Sequence, residues 1–231
     1  GKSVLFVALQ DTTQSDIYKY DIASKRIIQI TDIAESEYSP SLTPDGKSIS
    51  VVRVDKDNGQ RFYIMPMNEF THPKLINGSD NIGYYCWIND TSLAMFVLGD
   101  AMTLQVLNTK TSERKLIASD IGRCMKLSPD RKSMYFVLKQ NETEWTIFKL
   151  DVATHAITKV IETLKGSEDY AVMPDGSLLM GSEGKLYRWK TGVQDWEQVA
   201  DFSSSVGNFY RITINSKGDR LALVGFTGAK P

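Results

Sequence analysis

The repeating unit of this chain is clearest in one stretch, Ser39-Pro40-Ser41-Leu42-Thr43-Pro44-Asp45-Gly46-Lys47-Ser48-Ile49-Ser50-Val51-Val52. Proline presets φ to about −65° and glycine tolerates a positive φ, so the Pro-Asp-Gly sequence predicts a tight turn. Apolar residues precede and follow the turn, which predicts two antiparallel strands joined as a hairpin.

The same unit recurs along the chain at a nearly constant spacing. Two further copies keep the turn, and two weaker ones keep only its flanking strands: Pro129-Asp130-Arg131-Lys132, Pro174-Asp175-Gly176-Ser177, Asn89-Asp90 and Ser216-Lys217. The aligned positions Asp45, Asp90, Asp130, Asp175 and Lys217 are spaced by 45, 40, 45 and 42 residues. A strand-based repeat of about 40 residues is typical of the blades of a β-propeller.

Each repeat supplies up to four predicted strands, named a to d from the inner to the outer edge of a blade, and almost no helix is expected. The blades are predicted at about 1–33, 38–77, 83–119, 124–163, 169–202 and, in part, 209–226, in one domain of residues 1–231. The first blade lacks strand a, and the last has only strands a and b. We therefore expect an all-β, six-bladed propeller of four-stranded antiparallel blades, incomplete at its N-terminus by about 30–45 residues. The alternative is five blades with a spare strand.

Apolar residues recur at aligned positions of strand a, among them Leu42, Tyr85, Trp87 and Tyr170. We expect these side chains to pack one blade against the next.

Composition excludes several classes of partner. The net charge of −1 gives no electrostatic reason to expect nucleic acid. No apolar run reaches the length of about 18 residues that a membrane-spanning helix needs. The two cysteines, Cys86 and Cys124, are too few for a disulfide framework and lack metal-ligand spacing. Buried thiols are the interpretation that we favour, and a bridge between them stays open.

The turns, each followed by an apolar strand, resemble the WD40-like (PD40-type) repeat of TolB-type propellers. Three further segments resemble a group of extracytoplasmic TolB-like proteins: Glu37-Tyr38-Ser39-Pro40, Gly83-Tyr84-Tyr85-Cys86-Trp87-Ile88-Asn89-Asp90 and Ile121-Gly122-Arg123. This resemblance covers almost the whole chain. It implies a six-bladed propeller, a periplasmic or extracellular bacterial location and a binding or scaffolding role, and it brings no catalytic residue with it.

Catalytic and metal-binding patterns are missing from the sequence. The two histidines, His72 and His155, fall in predicted outer turns, and no nucleophile elbow occurs. The loop Asp55-Lys56-Asp57-Asn58-Gly59 resembles a calcium loop, but Met65 stands where the required glutamate would be. We interpret this loop as a polar hairpin and expect no catalytic residue, metal or cofactor.

The connections from strand d to strand a converge at one rim of the central channel if the blades form a ring. They place polar and aromatic residues at the start of the innermost strands, and we predict a binding site from them: Glu37, Tyr38, Asn81, Tyr84, Arg123, Glu168, Asp169, Tyr210 and Arg211. Arg123 and Arg211 would anchor an anionic ligand, and the tyrosines would offer flat faces to a sugar or a peptide. Alternatively, Glu168 and Asp169 hold the arginines and leave nothing for a ligand.

Two functions remain open at this point. The first is a non-enzymatic propeller that binds a protein, peptide or glycan at the rim. The second is a polysaccharide-active enzyme or the propeller domain of a larger hydrolase, which rests on analogy between folds.

Overall fold

A computed structural model describes residues 1–10, 14–67, 70 and 72–225. The chain folds into two compact units, Gly1–Ser119 and Asp120–Pro231. Strands account for more than half of the described residues, and no helix occurs in this part of the chain. The prediction of an all-β protein is confirmed.

The first unit consists of three antiparallel sheets, in the orders β1-β2-β3, β4-β5-β6-β7 and β8-β9-β10-β11. Their strands are β1 (Ser3–Gln10), β2 (Gln14–Asp21), β3 (Ile27–Gln29), β4 (Ser36–Leu42), β5 (Ser48–Val54), β6 (Gln60–Pro66), β7 (Lys74–Leu75), β8 (Ile82–Trp87), β9 (Ser92–Val97), β10 (Thr103–Asn108) and β11 (Arg114–Ser119).

The second unit also consists of three antiparallel sheets, in the orders β12-β13-β14-β15, β16-β17-β18-β19 and β20-β21. Their strands are β12 (Ile121–Leu127), β13 (Ser133–Lys139), β14 (Trp145–Asp151), β15 (Ile157–Glu162), β16 (Tyr170–Val172), β17 (Leu178–Ser182), β18 (Lys185–Trp189), β19 (Glu197–Asp201), β20 (Phe209–Ile214) and β21 (Leu221–Gly225). The predicted end of the last blade, Phe226, lies outside the described residues.

The predicted strand sets match these sheets closely, because apolar and polar residues alternate with the period of a half-buried strand. Four sheets have four strands, the first sheet has three and the last has two. The described strands number 21, and this total corresponds to five blades of four strands each with one spare strand. This is the alternative count, and the six-bladed count is not confirmed. A single domain over residues 1–231 stays a prediction.

The recurring turn closes through side-chain hydrogen bonds that the sequence repeats. Thr43 Oγ1 donates to Asp45 Oδ1 at 2.6 Å, and Asp45 Oδ1 also accepts from the Lys47 N–H at 3.1 Å. Ser128 and Asp130 make the equivalent bond at 2.6 Å. These hydrogen bonds hold the pKa of Asp45 and Asp130 below their usual values, chiefly because the hydroxyl bonds favour the carboxylate form. Arg131 occupies the position of Gly46 and has a φ of 59°, a conformation that glycine adopts more readily.

Apolar clusters fill the space between successive sheets within each unit. In the first unit, Phe62 lies edge-on to both Tyr85 and Trp87, with ring centroids 4.6 and 5.6 Å apart. In the second unit, Tyr170 is completely buried and packs with Cys124 and Val137. The predicted packing of strand a is confirmed at these positions. It is wrong at Leu42, which is 49% exposed.

A tyrosine hydroxyl ties each of two inner strands to the inner strand of the preceding sheet. Tyr85 Oη lies 2.8 Å from the Ser39 carbonyl oxygen on β4 and 2.6 Å from the Ser50 carbonyl oxygen on the neighbouring β5, and Tyr170 Oη lies 3.2 Å from the Cys124 carbonyl oxygen. In both cases the acceptor on the inner strand stands 46 residues earlier in the chain. The same contact therefore recurs with the repeat, once in each unit.

We expect Tyr170→Phe to lower the free energy of unfolding by about 1–3 kcal/mol, because a buried carbonyl loses a hydrogen-bond donor. Tyr85→Phe should give a loss of the same order. Urea denaturation measures both. Tyr187→Phe is the matched control, because that hydroxyl makes no hydrogen bond to the described residues. Equal stability of Tyr170→Phe and wild type would contradict a structural role for this bond.

Candidate functional site

A cavity of about 690 Å³ opens in the second unit at the entry to its inner strands. Its lining comes from residues 165–169, 181–183 and 208–210, with Arg123 and Trp145. The first and third segments precede or begin strands β16 and β20, and the second spans the end of β17 and the following turn. Strand entries and the turn between the second and third strands of a blade thus meet at one place.

Breaks in strand pairing shape this end of the inner strands. Between Ile121 and Met125, strand β12 passes four residues while its partner β13 passes two, from Leu138 to Phe136. Strand β20 is irregular between Phe209 and Arg211. Such bulges turn side chains out of the regular alternation, and Arg123 and Tyr210 lie within these two irregular stretches.

Arg123 is held by two carboxylates from the segment before β16. Its guanidinium lies 3.2 Å from Glu168 Oε1 and 2.6 Å from Asp169 Oδ2. Its backbone N–H also donates to Glu168 Oε2 at 3.2 Å. Gly122 permits this approach, since a Cβ there would stand 2.7 Å from Glu168 Oε2. The guanidinium is therefore fixed in position by the fold.

Two more cations join the same carboxylates. Arg211 Nη1 lies 3.4 Å from Asp169 Oδ1, and Lys139 Nζ lies 3.0 Å from Glu168 Oε2. We call Arg123, Lys139, Glu168, Asp169 and Arg211 the ion cluster. Lys139 Nζ also stands 4.1 Å from the centroid of the Trp145 ring, a cation–π contact.

The cations of the ion cluster are more exposed than its carboxylates. The side chains of Glu168 and Asp169 are 12% and 7% exposed, whereas those of Arg123, Lys139 and Arg211 are 31%, 31% and 36% exposed. The groups that face solvent are mainly donors with positive charge. They can bind an anion or a hydrogen-bond acceptor.

Five of the predicted site residues therefore lie together at or beside the cavity of the second unit. Arg123, Glu168, Asp169 and Tyr210 line the cavity, and Arg211 joins through Asp169. Sequence analysis also offered the alternative that Glu168 and Asp169 hold the two arginines, and the observed ion pairs agree with that part of it. These ion pairs do not leave the site without ligand-binding groups, because the three cations stay partly exposed.

The predicted residues of the first unit have other contacts. Glu37 is completely buried and accepts from Arg53 at 2.7 Å. Asn81 has a φ of 60°, and its carbonyl accepts from the Leu98 N–H at 2.8 Å. Tyr84 packs edge-on against Phe96 with centroids 5.6 Å apart, and Tyr38 is 39% exposed. That all nine predicted residues surround one channel mouth stays a prediction.

Sequence analysis missed Lys139, Trp145 and the segment 181–183. In an antiparallel blade, the start of strand a, the end of b, the start of c and the end of d all lie at one end. Lys139 ends β13, Trp145 begins β14, and the two residues face each other in the pairing register. The turns between strands b and c therefore lie at the same end of a blade as the connections from d to a, and the strand order is the signal that marks them.

Other residues with possible chemistry lie elsewhere. The loop Asp55–Gly59 is the predicted hairpin, and Arg61 binds both Asp55 and Asp57 at 2.7 Å. His72 and His155 lie in the predicted outer connections. Both cysteines are thiols, and burial raises the pKa of Cys124 to about 11. Within the described ranges, no group of three His, Cys, Asp or Glu side chains could hold a metal ion.

Comparison with known structures gives clear matches of fold. TolB from Acinetobacter baumannii matches with a TM-score of 0.75 and 14% identity, over 95% of this chain and 57% of that one. The chain has the fold of TolB-type propellers. It spans little more than half the length of that TolB, and this degree of identity supports the fold alone.

Two further structures agree with this TolB-type fold. A putative TolB from Agrobacterium tumefaciens matches with a TM-score of 0.70 and 16% identity, over 92% of this chain and 78% of that one. A gluconolactonase from Xanthomonas campestris matches with a TM-score of 0.68 and 11% identity, over 91% and 75%. No family model matches the sequence, and no curated protein matches it. A helix long and apolar enough to span a membrane is absent from the described residues of this TolB-like chain.

We expect Asp169→Asn in this TolB-like protein to lower the free energy of unfolding by about 1–2 kcal/mol, because two guanidinium groups lose a charged acceptor. Chemical denaturation of the variant and of wild type measures the loss. Glu162→Gln is the control, because its ion pair with Lys159 is largely exposed and should change stability little. Equal effects of the two substitutions would show that the ion cluster does not stabilise this end of the sheet.

Proposed function

We propose that this protein is a non-enzymatic propeller that binds a protein, peptide or glycan ligand at the cavity beside Arg123. The volume of this cavity, about 690 Å³, falls in the usual range of ligand-binding cavities, about 300–1,000 Å³. Polar groups from separate strands converge on it, and they are partly accessible to solvent.

The ion cluster is the observation that carries this proposal. Arg123 makes ion pairs with Glu168 and Asp169 at 3.2 and 2.6 Å, so its side chain is ordered before any ligand arrives. A group that is already ordered loses less conformational entropy on binding. The arrangement therefore favours recognition by fixed donors.

The cellular location belongs to the same proposal. We infer a periplasmic or extracellular protein, with the likeness to TolB-type folds as support. The enzymatic alternative rests on fold analogy, since the gluconolactonase is 11% identical to this chain. Turnover of a glycan by the purified protein would favour that alternative over simple binding.

Capture from a periplasmic extract and a glycan array would identify a ligand, and calorimetric titration would then test the cavity. We expect Arg123→Ala to weaken binding by about 1 kcal/mol or more, through loss of charge-assisted hydrogen bonds. Arg188→Ala is the matched control. That arginine also lies in the second unit, is 27% exposed and binds Asp175 away from the cavity. Equal affinities of wild type and Arg123→Ala would remove Arg123 from the site.

A further inference from the structure

We propose that the ligand is an acidic peptide segment whose carboxylate binds the cations of the ion cluster. This inference rests on the proposed function, because it names the ligand class of the same cavity. The inference goes beyond the proposed function because it assigns the binding of the ligand carboxylate to Lys139 and Arg211 as well as to Arg123.

The charges of the cluster and of the cavity lining leave a positive balance. Three cations share two carboxylates, and both carboxylates are mostly buried. The lining adds Lys165 and Glu183, one charge of each sign, which leaves the balance unchanged. An arriving ligand therefore meets ammonium and guanidinium groups first, and these attract a carboxylate.

Lys139 has donors to offer to such a carboxylate. An ammonium group has three N–H donors, and within the described part of the chain its acceptor is one carboxylate oxygen, Glu168 Oε2 at 3.0 Å. The Trp145 ring 4.1 Å away steadies the ammonium without accepting a conventional hydrogen bond. Lys139 is thus ordered and can still donate.

Burial strengthens this attraction. The ion cluster lies at the edge of a cavity whose walls include Trp145 and Phe209, and Phe209 is only 5% exposed. Charges near an apolar wall are screened less than charges in bulk water. A carboxylate that enters the cavity therefore interacts with these cations more strongly than at an open surface.

Among the aromatic residues that line the cavity Tyr210 alone is exposed, and this single ring beside several hydrogen-bonding groups favours a peptide over a glycan. Sugar binding commonly uses an open aromatic face, but Lys139 stands over the Trp145 ring and Phe209 is buried. Tyr210, 39% exposed, offers the most accessible ring of the lining. The Ser182 hydroxyl and the amide of Asn208 add polar groups suited to a peptide backbone, whereas the Ser167 hydroxyl donates to the Gly181 carbonyl at 2.8 Å and is left as an acceptor.

The test uses an array of short random peptides, each printed with a free C-terminus, with an amidated C-terminus and with every Asp and Glu replaced by Asn and Gln. Oligogalacturonate and neutral oligosaccharides are printed beside them. The purified protein should bind peptides that carry a carboxylate. The amidated and side-chain-neutral versions show whether a terminal or a side-chain carboxylate is recognised.

The strongest peptide is then titrated into variants by calorimetry. We expect Lys139→Met, which keeps an apolar side chain beside Trp145, to weaken binding about tenfold, or about 1.4 kcal/mol. Arg211→Gln should weaken it as well and serves if Lys139→Met fails to fold. Arg188→Ala should leave the affinity unchanged. Binding should also weaken as salt is raised, because the contact is between charges.

Three results would overturn the inference, and they separate it from the proposed function. Equal binding of peptides with and without carboxylates would refute the acidic ligand while leaving a peptide-binding cavity. Binding of oligogalacturonate alone, dependent on Lys139, would keep the binding function and refute the peptide. Binding of no peptide and no glycan would refute the acidic peptide and leave a folded protein as the ligand of the proposed function.

Discussion

The contact between strands β12 and β16 is the constraint on which the candidate site depends. The two strands begin successive sheets of the second unit, and the Tyr170 hydroxyl joins them through the Cys124 carbonyl. The Cys124 thiol and the Tyr170 backbone add contacts of 3.4 Å. Buried backbone groups need partners, and the bulge in β12 removes regular ladder partners at this point. The Tyr170 hydroxyl supplies a hydrogen-bond donor to the Cys124 carbonyl. With the two strands held together, Arg123 can form its ion pairs with Glu168 and Asp169 at fixed distances.

The bulges also explain why the site lies where it does. Inner strands β4, β8, β12 and β20 all contain an irregular pairing, which begins at the first residue of β8, β12 and β20 and lies in the middle of β4. In the first unit the irregular stretches accommodate Ser39, with a φ of 55°, and Gly83. In the second unit, Arg123 and Tyr210 lie in the irregular stretches, so their side chains need not alternate between the two faces of the sheet. Side chains that would otherwise follow the faces of a sheet can therefore turn towards a cavity.

Much of the fold could be predicted because its signals are local. The turn at Thr43 and Asp45 closes within five residues, and alternation marks each strand. Less of the site was predictable, because its partners are distant in sequence: Asp169 lies 46 residues from Arg123 and 42 from Arg211. The burial of Glu37 depends on Arg53, which faces it from the paired strand. Nothing in the sequence marks which carboxylate is buried with a partner and which faces solvent.

The central claim is that the cations of the preformed ion cluster bind a carboxylate. An NMR titration of the arginine and lysine side chains with acetate, at constant ionic strength, tests this claim directly. Acetate presents a carboxylate without any other recognition group. The account predicts that the side-chain signals of Arg123, Arg211 and Lys139 shift together, while those of Arg61 and Arg188, which are ion-paired elsewhere, stay in place. Equal shifts of all five signals, or none at the cluster, would contradict it.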